Sequence, residues 1–175
     1  SELGERDFTI MSLGVGGEAG EVLEVVMDSW KRGELDRAAA TKEMGDVIYY
    51  WCRLAQAFGV DVLSTLGLGS ADEYATVPLD VVAAKVGVSE GFDSTRCALV
   101  LAARISHLQE LLKKRVRDGH FPEDEFAAAL GRAGRAWLRT AQAMGLTPSS
   151  ILQMNVDKIN SRRARGVLRG SGDDR

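Results

Sequence analysis

The sequence predicts an all-α protein: a pseudo-symmetric four-helix bundle of two helical hairpins, with a further helix at the C-terminal end. Three observations lead there. Apolar residues recur at steps of three and four along most of the chain, the period that lines them up on one side of an α-helix. Three prolines (Pro78, Pro122 and Pro148) and 6% aromatic residues are poor material for a β-sandwich. The chain also aligns with itself, without a gap, at a shift of 86 residues.

The first helix is expected over residues 10–32, where Met11, Val15, Val22, Val25 and Trp30 keep helical spacing and Gly33 stops the run. The second covers 38–58, with Met44, Val47, Ile48, Trp51, Ala55 and Phe58 ahead of Gly59. Residues 67–94 are less regular and hold one short helix starting at Pro78. The pattern resumes over 95–118 (Leu101, Ile105, Leu108, Leu112, then Gly119) and over 123–144 (Phe126, Leu130, Ala133, Trp137, Ala141, Met144, then Gly145). Thr147-Pro148 is an N-cap followed by proline at the first helical position, so a last helix runs from there to about Arg163. From Gly166 onward the Gly, Ser and Asp content reads as a frayed tail.

With 175 residues, 45% of them apolar and 27% charged, the chain is expected to form one domain over 1–175, large enough to bury a core unaided. No run approaches the ~18 apolar residues of a membrane span, and no basic-then-apolar leader opens the sequence, so no membrane partner is expected. Cys52 and Cys97 lie in apolar helical patterns without CxxC spacing, which points to a reducing, cytoplasmic setting and no disulfide framework. The chain opens on Ser1 rather than Met, as a processed or incomplete N-terminus would.

The net charge of −3 hides an asymmetry. Residues 1–75 carry 14 acids against 6 Lys and Arg, whereas residues 76–175 carry 11 against 16. A solvated acidic face with a basic tail has this composition. So has a chain that binds metal with one half and phosphate with the other.

At the 86-residue shift, Trp51-x-Arg53-x-Ala55-Gln56-Ala57-x-Gly59 falls on Trp137-x-Arg139-x-Ala141-Gln142-Ala143-x-Gly145. Gly33 pairs with Gly119, Gly45 with Gly131, Glu24 with Glu110 and Leu66 with Leu152. Alanine-rich helices share composition, but an ungapped block of Trp, Arg, Gln and Gly argues for a true repeat. The expected organisation is a first hairpin over 9–66, a connector over 67–94, a second hairpin over 95–152, and a basic helix end and tail over 153–175.

Carboxylates stand where a core should be. Glu18 and Glu21 are three residues apart on the face that carries Val15, Val22 and Val25, and Glu43 and Asp46 repeat the spacing beside Val47 and Tyr50. Each pair shares a helix face, one turn apart. Packing the hairpin brings all four together, where desolvation and repulsion would protonate them unless a cation intervenes. All-oxygen ligands select Mg²⁺, with Mn²⁺ as a substitute, over Zn²⁺. A single pair would pass for ordinary surface glutamates. Two pairs on consecutive helices, flanked by Gly17, Gly20 and Gly45, are harder to read that way. A di-iron bundle needs Glu-x-x-His, and neither histidine follows a glutamate at that spacing.

GGEAGEVLE, then KRG, then KEMGDVIYYW resembles the MazG-type members of the all-α nucleoside triphosphate pyrophosphohydrolases, relatives of the dimeric dUTPases. That family's signature is E-x-x-E on one helix and E-x-x-D on the next; here 21 residues separate Glu21 from Glu43. NVDKINSRRARG is similar to the N-x-x-K-x-x-x-R segment that follows the metal helices in the family. The likeness covers residues 10–60 and 147–166. Many MazG domains carry a further acid where this chain has Gly17, which leaves the number of metal ions open. The resemblance implies a Mg²⁺-dependent hydrolase that converts an NTP or dNTP to the monophosphate and pyrophosphate. Glu18, Glu21, Glu43 and Asp46 would be its metal ligands. Glu21 and Glu43 are the candidate catalytic residues, with Glu21 the choice for orienting water as a base. Asn155, Lys158 and Arg162, at i, i+3 and i+7 on the last helix, would bind the substrate's phosphates.

In the second half the four acids correspond to Arg104, His107, Ala129 and Arg132, while Asn155 corresponds to Gly69 in the first. The expectation is therefore a family dimer fused into one chain, with metal in one half and phosphate donors from the other, and with Arg132 available to a carboxylate of the first half. A further homodimer of the fused unit stays open. Trp30, Tyr49 and Tyr50 are candidates for base contacts, although aromatics at helical spacing more often belong to a core. Three alternatives remain: a dUTP-specific or phosphoribosyl-ATP pyrophosphohydrolase, a non-catalytic nucleotide-binding helical protein, and a nucleic-acid-binding one. The last would use SRRARGVLR, a run that lacks interleaved aromatics, in an acidic chain.

Overall fold

The computed structural model describes residues 5–67, 79–86, 93–120 and 122–166. Among them are seven helices and no strand: α1 (Glu5–Arg32), α2 (Arg37–Ala57), α3 (Val62–Thr65), α4 (Leu79–Val86), α5 (Ser94–Asp118), α6 (Glu123–Ala143) and α7 (Pro148–Ala164). Consecutive helices α1 and α2 form one hairpin, and α5 and α6 the other. The hairpins join through α1 against α5 and α2 against α6. Helix α7 lies on α2, α3 takes the corresponding place on α6, and α4 touches α6 and α7.

Local chemistry sets the boundaries. Asp36 begins α2 by accepting the Ala39 amide at 3.0 Å, and Asp93 begins α5 by accepting that of Arg96 at 2.7 Å. Gly33 and Gly119 end α1 and α5 with φ of 78° and 77°, a left-handed conformation that costs other residues energy. The core between the hairpins takes Val15, Ala19, Val22 and Val26 from α1, Met44, Val47, Trp51 and Leu54 from α2, Leu101, Ile105, Leu108 and Leu112 from α5, and Phe126, Leu130, Ala133 and Trp137 from α6. Helix α7 contributes Ile151.

The internal repeat is built into this frame. Shifting α2 by 86 residues lands on α6 residue for residue, and the first residue of α3, Val62, lands on Pro148, the first of α7. Trp51 Nε1 donates to Leu130 O at 3.0 Å and Trp137 Nε1 to Met44 O at 2.8 Å, two bonds that the same shift interchanges. Glycines on α2 and α6 seat the outer helices. A Cβ on Gly131 would lie 2.2 Å from Thr65 O of α3, and one on Gly45 would lie 3.2 Å from the Asn155 Cβ of α7. What breaks the symmetry is length: α3 has 4 residues and α7 has 17.

Several elements differ from the sequence expectation. Helix α1 starts at Glu5 rather than near residue 10, because Phe8 packs on the core with its ring edge-on to Phe58 at 6.0 Å. Phe58 in turn meets Phe126 at 4.6 Å. The buried stripe of α1 runs Val15, Ala19, Val22, Val26, so Val25 is only half-buried. Trp30 is 63% exposed and donates its indole N–H to the Thr95 hydroxyl at 3.2 Å, so it belongs to neither core nor site. Helix α3 was not expected; Asp61 nucleates it by accepting the Leu63 and Ser64 amides. The short connector helix is described from Leu79, while Pro78, the rest of 68–78, 87–92 and the expected tail from 167 lie outside the described residues. No described helix is long and apolar enough to cross a membrane.

Candidate metal centre

The antiparallel hairpin of α1 and α2 sets the register of the acids. Tyr50 lies across Gly14, where a Cβ would meet the ring at 2.6 Å. Moving one turn along each helix in opposite directions makes Glu18 level with Asp46, and a further three residues make Glu21 level with Glu43. Carboxylate oxygens of Glu18, Glu21 and Glu43 accordingly lie within 4.8 Å of one another.

These three acids differ in environment. Glu21 is exposed, Glu18 is half-buried and Glu43 is only 6% exposed. Glu43 Oε1 accepts from Lys42 Nζ at 2.8 Å, while the buried Oε2 has no hydrogen-bond partner among the described residues. Leaving a buried carboxylate oxygen unpaired costs free energy, so the arrangement calls for a positive or proton-donating ligand. Glu18 registers the same crowding. Burial first, then the charges of Asp46, Glu21 and Glu43, push its pKa from an ordinary 4.5 to about 7, with Lys158 acting in the opposite sense.

Asp46, beside Glu18, is engaged by α7. Its Oδ1 accepts from Asn155 Nδ2 at 3.0 Å, and Lys158 Nζ lies 2.5 Å from both Oδ1 and Oδ2. Asn155 is buried with its Cβ against Gly45, so the absence of a side chain on α2 lets α7 approach closely enough to reach Asp46. The structure thus joins three of the four expected ligands directly and gives the fourth to the two expected phosphate donors. Arg162 lies half-buried, four residues beyond Lys158.

Next to this cluster, a cavity of about 350 Å³ opens between the start of α2 and the middle of α7, lined by Ala38, Ala39, Thr41, Lys42, Met154, Asn155 and Lys158. Lys42 was not singled out in the sequence, although it stands beside Glu43. Tyr49 and Tyr50 pack edge-on to each other at 5.3 Å and do not line the cavity.

Among the described residues the second hairpin has no such centre. At the positions equivalent to the four acids, Arg104 is exposed, His107 and Arg132 are half-buried and Ala129 is buried. Arg132 forms no ion pair with a described carboxylate of the first hairpin; its neighbouring charge is Arg135. The Glu18, Glu21 and Glu43 group is the only one of its kind among the described residues. Its donors are all carboxylate oxygens, and one is buried and unpaired, so the residues present fit a hard divalent cation such as Mg²⁺. Comparison with known proteins finds no matching family model, no matching curated protein and no matching solved structure.

Proposed function

We propose that this chain is a Mg²⁺-dependent nucleoside triphosphate pyrophosphohydrolase that converts an NTP or dNTP to the monophosphate and pyrophosphate. The observation that carries the reading is the meeting of Glu18, Glu21 and Glu43 around a buried, unpaired carboxylate oxygen, with Asn155 and Lys158 presented to the adjoining Asp46. The E-x-x-E and E-x-x-D pairs, with the Asn-x-x-Lys of α7, support the same family of reactions.

Glu18, Glu21, Glu43 and Asp46 would hold a divalent ion, which would supply neutralisation of the phosphates and lower the pKa of water. The protein's own residues do the rest. Glu21, the exposed member, orients an entering water and accepts its proton, while Glu43 holds its place from the buried side. Lys158 and Asn155 donate to phosphate oxygens, and Arg162 adds positive charge along the same helix face. The apolar lining from Ala38, Ala39 and Met154 offers the nucleoside a surface next to those donors. The reading sets the enzyme in the cytoplasm, in keeping with the free thiols of Cys52 and Cys97.

The test is pyrophosphate release from a panel of NTPs and dNTPs with Mg²⁺, with Mn²⁺ and with EDTA. Metal-dependent release from several nucleotides supports the reading. Release confined to dUTP or to phosphoribosyl-ATP narrows the substrate. No release from any of them, or full activity in EDTA, overturns the reading.

A further inference from the structure

We infer that Lys158 is the resident counter-cation of Asp46 in the metal-free protein, and that it passes to the substrate's phosphates when a divalent cation takes this carboxylate. The inference rests on the proposed metal-dependent hydrolase. The juxtaposition behind it is the Lys158 ammonium, 2.5 Å from each Asp46 oxygen, at the edge of the cavity.

An ammonium held by both oxygens of one carboxylate sits where a chelated cation would. With Asn155 also on Oδ1, the hydrogen-bonding capacity of Asp46 is largely taken. A static phosphate donor has no need to be paired in this way, and a static metal ligand is poorly served by it. The two roles are compatible only if the pairing is exchanged. Burial makes the exchange consequential, since the two side chains are 19% and 18% exposed and the attraction is little screened.

The cavity gives the released ammonium somewhere to go. Lys158 already lines it, together with Lys42, whose own ammonium is on Glu43 Oε1. Each acid of α2 therefore has one lysine, and both lysines border the same space. The four-carbon stem of Lys158 can swing off Asp46 without backbone movement. A cation moved into a cavity floored by Ala38, Ala39 and Met154 needs an anion there, and polyphosphate supplies one. Metal and polyphosphate then favour each other's binding, because each stabilises the same released position of Lys158.

The experiment uses the full chain in two arms. In the first, Mn²⁺ is titrated into wild type and Lys158→Met at pH 7.5, followed by electron paramagnetic resonance without nucleotide. The exchange predicts that Lys158→Met binds Mn²⁺ about tenfold more tightly, the value of one charge-assisted contact removed from Asp46. In the second arm, Lys158 of the wild type is labelled with an amine reagent and quantified by mass spectrometry. Labelling should be slow in EDTA, several-fold faster with Mg²⁺, and slow again with magnesium pyrophosphate. Unchanged or weaker Mn²⁺ binding by Lys158→Met overturns the inference and leaves the hydrolase reading standing. So does labelling that ignores metal, an arm that decides alone if the variant does not fold. Failure of the wild type to bind Mn²⁺ overturns both.

Discussion

Trp51 and Trp137 exchange equivalent hydrogen bonds across the bundle, each indole donating to a backbone carbonyl of the other's helix. Both rings are 3% exposed, so each bond forms in the core, where no water replaces it. The two residues are separated by the same 86-residue shift that relates α2 to α6 in the sequence, so the two bonds are equivalents of each other.

That equivalence predicts equal energetic cost. Trp51→Phe and Trp137→Phe each remove one N–H donor and part of a buried ring, for a loss of about 1–3 kcal/mol. Urea unfolding should place the two variants within about 1 kcal/mol of each other, the scatter typical of one hydrogen bond's contribution. A large difference would mean that one indole supports the core and the other does not.

The glycine seats should respond unequally. Gly131→Ala drives a Cβ to within 2.2 Å of a backbone oxygen of α3, which cannot yield as a side-chain tip can. A loss of about 1–3 kcal/mol is expected despite alanine's better helix propensity. Gly45→Ala meets the Asn155 side chain at 3.2 Å, a contact that relaxes by a few tenths of an ångström. Its effect should fall on nucleotide KM, through displacement of Asn155 and Lys158, more than on the unfolding midpoint.

The acids should act as one unit. Glu43→Gln and Asp46→Asn are each expected to lower pyrophosphate release by at least about a hundredfold, as when a group acting in the transition state is removed. Circular dichroism should show the helices intact. Alanine at Arg104, His107 or Arg132, the equivalents in the second hairpin, should cost less than about threefold, within the range of changes remote from a site.

Glu18 makes stability depend on pH in a definite direction. Its folded pKa of about 7 lies above the ordinary 4.5, so the folded protein holds this proton more tightly than the unfolded chain does. In EDTA the contribution of this group is at its best below pH 4.5, declines as pH rises, and is lost by the time pH passes 7. Glu18→Gln should flatten that part of the profile and stabilise the metal-free protein at pH 8. Divalent-cation affinity should rise with pH over the same interval, with proton release visible in buffers of different ionisation enthalpy.

The elements of this fold were readable where neighbouring residues decide them. Gly33, Gly59, Gly119 and Gly145 ended helices as expected, and Thr147-Pro148 opened the last one. The phase within α1 was less readable, because steps of three and four fit Val22–Val25 and Val22–Val26 equally well and only packing chooses the second. At the site, the spacing of Glu18, Glu21 and Glu43 foretold their meeting. Neither the capture of Asp46 by residues 109 and 112 positions away nor the outward turn of Trp30 could be read locally, since each depends on how one helix lies on another.

The length of that reach bears on how the protein is made. A ribosome delivers α1 and α2 before α7, so Glu18, Glu21, Glu43 and Asp46 emerge with Lys42 but ahead of Asn155 and Lys158. The hairpin that covers its core comes next, and α7 follows it out of the exit tunnel. Until α7 emerges, Asp46 lacks the groups that hold it in the folded molecule. In the nascent chain Asp46 therefore stands among the other acids of its hairpin before Asn155 and Lys158 can reach it.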